Sequence, residues 1–165
     1  MPKLSALLHT HNDGQRIGRA VESLRCCDEV LVVDHASSDD TVHHAREHGA
    51  KVKQAVPGVN PGVYAVDAAH DWILCLLPSE SLSEMLEAAL FEWKDREPDE
   101  FTNGFSLAVR EENAAGWRDL GLQLRLVNRR RINWPDQLPG PAPATAAGAP
   151  PGVTLEGVIL RFRHP

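Results

Sequence analysis

Residues 4–24 read LSALLHTHNDGQRIGRAVESL. The first five, Leu4 to Leu8, form a short apolar run that fits a buried strand. Thr10-His11-Asn12-Asp13-Gly14 breaks the run with turn and cap chemistry. Ile17, Ala20, Val21 and Leu24 then recur three and four apart, which is one face of a helix. A buried strand, a polar turn and an amphipathic helix make the first half of a βα unit.

The unit is followed by others. Val30 to Val33 is an apolar β-branched run closed by Asp34, with the polar turn His35 to Asp39 behind it. Val42 and Ala45 mark a helix that ends at Gly49, a good residue for the position after a helix. Ala50 to Val56 is a third strand, Pro57 to Gly62 a loop, and Val63 to Ala69 a short helix. Trp72 to Leu77 is the fourth buried strand. Ser81 and Glu84 have the spacing of a capping box, with Leu82, Met85, Leu86, Ala89, Leu90 and Trp93 on one stripe behind them. Strands alternating with helices predict a mostly parallel sheet covered on both faces. After Pro98 the period changes to two. Phe105, Leu107 and Val109 alternate with other residues, as do Leu122, Leu124 and Leu126, and the loop between them holds Asn113 and Gly116. These predict antiparallel strands. Pro139 to Gly152 is Pro/Ala/Gly-rich and predicts an extended loop. Val153 to Phe162 reads as a last strand.

The chain has 165 residues and a formal net charge of −6. That length suits one domain. The acidic balance argues against nucleic acid as a partner, since a non-specific binder needs a basic face. The one basic cluster, Arg129-Arg130-Arg131, reads as solvated surface. Cys26, Cys27 and Cys75 have neither disulfide-framework nor zinc spacing and read as core thiols. No apolar run approaches the roughly 20 residues that cross a bilayer, and the N-terminus lacks a signal sequence. The expected location is the cytoplasm.

In open α/β sheets ligands sit at the carboxyl ends of the strands. That edge carries Thr10 to Asp13, Asp34 to Asp39 and Pro78 to Glu80. Neither G-x-G-x-x-G nor G-x-x-x-x-G-K-[ST] is present, so the dinucleotide and P-loop motifs are missing. What remains is an edge of carboxylates and hydroxyls able to bond a ribose or a base. Asp39 is read as a helix cap. His9, His11, His35, His44 and His48 do not form a recognised ligand set, and no metal site is assigned to them.

Three stretches in order, LSALLHTHNDGQRIGRAVESL, DEVLVVDHASSDDTVHHAREHGAKV and DWILCLLPSESLSEML, resemble the N-terminal part of family 2 glycosyltransferases. The similarity is to the bacterial branch that elaborates lipopolysaccharide core and other envelope glycans. It covers about the first 95 residues and returns in GLQLRLVNRRRINW, which resembles an acceptor-side Q-L-R-L-F…W segment. The resemblance implies a GT-A fold in a single domain, 1–165. Residues 1–97 would be its nucleotide-binding half, and 98–165 its acceptor-side half with the loop 139–152. It implies a nucleotide-sugar donor and a glycan acceptor, with Thr10, Asn12, Asp13 and Asp34 lining the nucleotide pocket. It also implies Mg²⁺ or Mn²⁺. Yet the metal-binding D-x-D falls on Leu77 and Ser79, leaving Glu80 as the one acidic residue and the weak catalytic candidate. The basic residue usual before that motif falls on Pro61. With Trp134 as anchor, the catalytic-base region falls on Leu138-Pro139-Gly140. The family's C-terminal membrane-associated helices have no counterpart. Two readings follow: a transferase acting on envelope glycans, or a catalytically inactive nucleotide-binding or protein-interaction module.

Overall fold

The computed structural model of the chain describes residues 1–132 and 155–165. Strand β1 (Leu4–Thr10) is the centre of a parallel layer. It pairs with β2 (Glu29–Asp34) on one side and β4 (Trp72–Cys75) on the other, and β2 pairs with β3 (Lys51–Gln54). Alternate residues of β1 feed two cores, as the period of a strand requires. Leu4, Ala6 and Leu8 pack with Ile17, Ala20 and Val21 of α1 (Ile17–Glu22) and with Ala45 of α2 (Thr41–Glu47). Leu7 faces the other way, into a smaller cluster with Tyr64, Ala65 and Ala68. Those last residues belong to or flank a 3₁₀ turn, Pro61–Asp67, which stands where a short helix over Val63 to Ala69 was expected.

The antiparallel half continues the same sheet. β7 (Gly116–Asn128) pairs with β4 and with β6 (Gly104–Asn113), β8 (Val158–Arg161) runs parallel to β6, and β5 (Glu80–Leu82) pairs with β8. The order among the described residues is β3-β2-β1-β4-β7-β6-β8-β5. The GT-A-like α/β expectation, a parallel layer joined to antiparallel strands, therefore holds as one curled mixed sheet. β5 follows β4 closely in the chain yet lies at the far end of the strand order.

Several local expectations are corrected. Ser81 and Glu84 do not form a capping box, because Ser81 is buried in β5 opposite Leu160. Sheet pairing overrides the local cap, and α3 (Glu84–Lys94) is capped by Ser83. Its hydroxyl oxygen accepts from Leu86 N at 3.2 Å and from Val158 N at 3.0 Å. The apolar stripe of α3 is Leu86, Leu90 and Trp93, while Met85 is exposed. Trp93 closes an aromatic cluster with Trp72 and Phe105, ring centroids 5.1 and 5.8 Å away. The fourth strand stops at Cys75, and Leu77 is 41% exposed. Of the arginine triplet Arg130 and Arg131 are exposed, as expected, while Arg129 is half-buried. Arg129 donates to Asp71 and to the carbonyls of Ala65 and Ala68, and Arg131 donates to the carbonyls of Asp99 and Thr102.

The pairing of β6 with β7 slips at two places. Phe105 faces Leu126 while Ser106 faces Leu124, so Arg125 is the extra residue of a bulge. A second slip lies between Ala108 and Arg110, where Gly121 on the partner strand has φ +78°. These shifts break the expected alternation. Leu126 is buried, Leu124 half-buried and Leu122 exposed, whereas Gln123 and Arg125 are turned inward.

The Ser83 hydroxyl serves both the first turn of α3 and the start of β8. Ser83→Ala is therefore expected to cost more than an ordinary cap, about 2 kcal/mol at the upper end of measured cap losses. A urea titration of the variant against wild type checks the figure.

Candidate functional site

The carboxyl ends of β1 and β2 are level, with Thr10 opposite Asp34. The loops that follow are interlocked. The Thr10 hydroxyl donates to Asp13 Oδ2 at 2.7 Å, and His11 N donates to the same oxygen at 3.0 Å. Asp13 Oδ1 accepts from Arg16 Nε at 2.8 Å, and Asp13 N donates to Thr41 Oγ1 at 2.8 Å. Across the loops, Asn12 N donates to Ser37 Oγ at 2.9 Å and Asn12 Oδ1 accepts from Ser38 N at 2.8 Å. Asp39 accepts from Gly14 N at 3.1 Å and from both the backbone and the hydroxyl of Thr41. Its carboxyl lies below the usual range, chiefly through the Thr41 hydroxyl. The N-cap position of α2 is Asp40 and not the expected Asp39, but Asp39, one residue earlier, holds the first helical residue, Thr41, and ties it to the first loop.

Each loop holds one non-glycine residue in the left-handed backbone region, Asn12 at φ 53° and Ala36 at φ 54°. Such conformations cost free energy and persist where surrounding contacts over-determine them. Here the contacts are the cross-loop bonds of Asn12, Ser37 and Ser38.

All four residues expected to line a nucleotide pocket meet at this edge, but their exposure differs. Asn12 is exposed. Thr10 and Asp13 are buried and bonded to each other. Asp34 is 1% exposed, and both its oxygens accept from Ser37, one from the amide at 3.1 Å and one from the hydroxyl. The second lone pairs of these carboxylate oxygens are the groups a ligand could use.

The shelf after β4 is organised by one ion pair. Glu80 is 0% and Arg125 2% exposed. Arg125 Nη1 and Nη2 donate to Glu80 Oε2 and Oε1, both at 2.8 Å. The remaining Arg125 donors go to the Gln123 side chain and the Cys75 carbonyl, so the guanidinium is fully engaged. Glu80 also accepts from Arg161 at 3.0 and 3.1 Å and from Leu77 N at 2.9 Å. That set leaves the carboxylate no open side for a cation. Leu77 offers no oxygen on its side chain, and one serine hydroxyl is a weak ligand. Among the described residues no group of three His, Cys, Asp or Glu could hold a metal ion. The residues here do not fit the Mg²⁺ or Mn²⁺ that the resemblance implies.

Ring to ring, the histidines meet only in pairs. His9 Nδ1 lies 2.8 Å from His35 Nε2, and His11 Nδ1 donates to the His35 carbonyl at 2.6 Å. Burial, and then the neighbouring His35, push His9 down to about 4. His48 Nδ1 donates to the His44 carbonyl and its Nε2 faces Glu22 at 3.1 Å. Cys75 is inert at neutral pH, since burial pushes its thiol up to about 12. Trp134 and Leu138-Pro139-Gly140, where the base region was expected, lie outside the described residues, as does the loop 139–152.

Sequence reading missed Arg125, Gln123 and Arg161. The signal was a glutamine and an arginine of one parity inside an apolar strand, Q-L-R-L, which a buried ion demands a partner to explain.

The chain resembles known glycosyltransferases. An uncharacterized glycosyltransferase of Rickettsia typhi is 41% identical over 91 residues, covering 53% of this chain and 31% of the relative. One of Rickettsia felis is 42% identical over 91 residues, covering 53% and 32%. The chain thus spans about a third of the length of these relatives. No family model matches. Among solved structures, glucosyl-3-phosphoglycerate synthase from Mycobacterium tuberculosis, in complex with Mn²⁺, UDP and glucosyl-3-phosphoglycerate, aligns with TM-score 0.49 and 18% identity. The alignment covers 67% of this chain and 43% of that one. S. aureus TarS aligns with TM-score 0.45 and 24% identity, covering 67% and 35%. No helix among the described residues is long and apolar enough to cross a membrane.

Three outcomes follow from the site. Glu80→Ala strands two guanidiniums and is expected to destabilise the fold by about 3–5 kcal/mol. Glu80→Gln combined with Arg125→Met should lose less than the two single variants together, which a double-mutant cycle in urea reads. His9, held below the 6.5 of an unfolded histidine, binds its proton more readily in the unfolded chain. Its share of stability is complete above pH 6.5 and is lost as pH falls toward 4. His9→Gln should flatten that part of the stability–pH profile.

Proposed function

We propose that this glycosyltransferase-like chain binds a nucleoside diphosphate or nucleotide-sugar at the carboxyl edge of β1 and β2, and does so without a carboxylate-held divalent cation. The observation that carries the reading is the pair of interlocked, strained loops at the sheet edge where α/β proteins bind ligands. Asn12 and Ala36 keep left-handed backbone there, inside a chain about 40% identical to glycosyltransferases over half its length. Thr10, Asn12, Asp13 and Asp34 form the pocket, with Asp34 taking the ribose or base. Glu80 serves as a structural anchor. The acceptor class is a cell-envelope glycan, from the branch the sequence resembles. Sugar transfer through a metal finds no carboxylate at Leu77 or Ser79, and an apolar side chain at Leu77 cannot hold the cation that offsets the charge on a departing diphosphate. The chain therefore acts as a binding domain first, and transfer, where it occurs, is slow. A cytoplasmic location fits a nucleotide-sugar donor.

A second reading has one observation in its favour. Asp34 is buried and closed by Ser37, as in a module that reuses the fold to bind a protein partner.

Nucleotide titration separates the two. At ligand near 100 times Kd, a cognate nucleoside diphosphate in EDTA should add ~2.7 kcal/mol, a thermal shift of roughly 5–10 °C for a chain of this size. Asp34→Asn should abolish the shift while keeping the fold. No shift with UDP, GDP, CDP or ADP at millimolar concentration establishes the partner-binding reading instead. Leu77→Asp with Ser79→Asp should create a Mn²⁺-dependent gain in affinity that wild type lacks, and the exposure of Leu77 lets the fold tolerate it.

A further inference from the structure

Beside the shelf lies a cleft of ≈ 420 Å³ that the nucleotide reading has not used. Four arginines and two glutamates line it: Arg16, Arg118, Arg161 and Arg163 against Glu111 and Glu112, with Ser79 at its margin. The volume lies within the range of small-molecule sites, about 300–1,000 Å³. The positive surplus is local, since the chain as a whole carries −6.

Three of these arginines are held in place. Arg16 donates to Asp13 at 2.8 Å, on the loop of the nucleotide edge. Arg161 is anchored by Glu80 at 3.0 Å and reaches Glu111 at 3.3 Å, and Arg118 reaches Glu111 at 2.9 Å. Arg163 is anchored by its backbone, whose N–H donates to Glu112 at 3.1 Å. Among the described residues no hydrogen bond or ion pair engages its guanidinium. A further guanidinium, Arg19, stacks 3.8 Å from the ring centre of Phe162, another residue of the cleft. Burial holds it below the ordinary arginine range, with Glu112 opposing the shift and Arg16 adding to it in smaller part. Carboxylates offset Arg16, Arg118 and Arg161 in part, and the four guanidiniums against two lining glutamates leave the cleft a positive balance that an anion would relieve.

We infer that this cleft binds the diphosphate of a nucleoside diphosphate, with Arg118 and Arg163, which line it together with the anchored Arg16 and Arg161, neutralising the charge that carboxylates and a divalent cation would otherwise handle. The inference rests on the nucleotide reading above. Guanidinium groups suit it because their planar forks bind phosphate oxygens in pairs and stay charged at every working pH. Arg16 links the two parts of the ligand. It stands three residues after Asp13, at the border between the base-binding edge and the cleft. Ser79, at the second D-x-D position, then faces a site supplied with fixed cations rather than with a metal.

Calorimetric titration in EDTA tests this with inorganic pyrophosphate, with UDP, GDP, CDP and ADP, and with the matching nucleosides. Arg118 and Arg163 lie at the surface, so Arg118→Gln with Arg163→Gln should leave the thermal midpoint unchanged. Wild type should bind pyrophosphate and one of the nucleoside diphosphates without metal. The double variant should bind both about tenfold more weakly, with nucleoside affinity unaltered. Pyrophosphate binding with this arginine dependence, but no nucleotide binding, would uphold the anion site and refute the nucleotide reading. Nucleotide binding that ignores both substitutions would overturn the inference and leave the nucleotide reading standing, whereas binding that requires Mn²⁺ would overturn the inference and the metal-free part of that reading with it. Binding of neither probe overturns both.

Discussion

A fully buried carboxylate with two guanidiniums against it is a demanding arrangement. The desolvation of three charges is offset only when geometry is exact and every donor is matched. Glu80 and Arg125 meet that demand with two parallel bonds, and Gln123, Cys75, Leu77 and Arg161 take up what remains. The pair joins β5 to β7 across the inside of the curl, between strands that are not neighbours in the sheet. Without it β5 would present to the interior a carboxylate held only by Arg161 and Leu77 N. The bulge at Arg125 exists for the same reason. It turns one side chain inward where strict alternation would have sent a leucine.

The parallel half of the fold was legible because each of its elements is locally consistent. Leu4 to Leu8, Val30 to Val33 and Trp72 to Leu76 are apolar enough to be buried on both faces, and Ile17, Ala20 and Val21 lie on one helical face. The second half was less legible because its strands are decided at a distance. Glu80 to Leu82 is a strand only because β8 returns to pair with it. Nothing in the three residues themselves says so, and a serine and a glutamate at capping distance say the opposite. The inward turn of Arg125 depends on two register shifts that no period-two pattern contains.

At the site, the sequence located the edge but not the exposure. Thr10, Asn12, Asp13 and Asp34 do come together, because the register of β1 with β2 forces their loops side by side. That Asp34 would be closed by Ser37 could not be read from composition. A serine three residues after an aspartate forms this turn only when the backbone between them bends, and the bend is Ala36 in left-handed space. The arginines of the cleft come from residues 16, 118, 161 and 163. Sequence distance hides such a gathering entirely, and only the sheet order reveals it.

The position of β8 carries a consequence for how the molecule assembles. Among the described residues β5 is last in the strand order, and β8 is its one neighbour there. Residues 80–82 therefore cannot become a strand until residues 158–161 are present, although β1, β2 and β4 can already pair among themselves. The cap of α3 is also half-made until then, since Ser83 receives Val158 N from β8. Closing so long a loop is entropically costly and slow relative to local steps. During synthesis the parallel layer would wait with Glu80 short of its Arg161 partner and with Ser83 short of Val158 N, and β8 would act as the latch that closes this part of the curl.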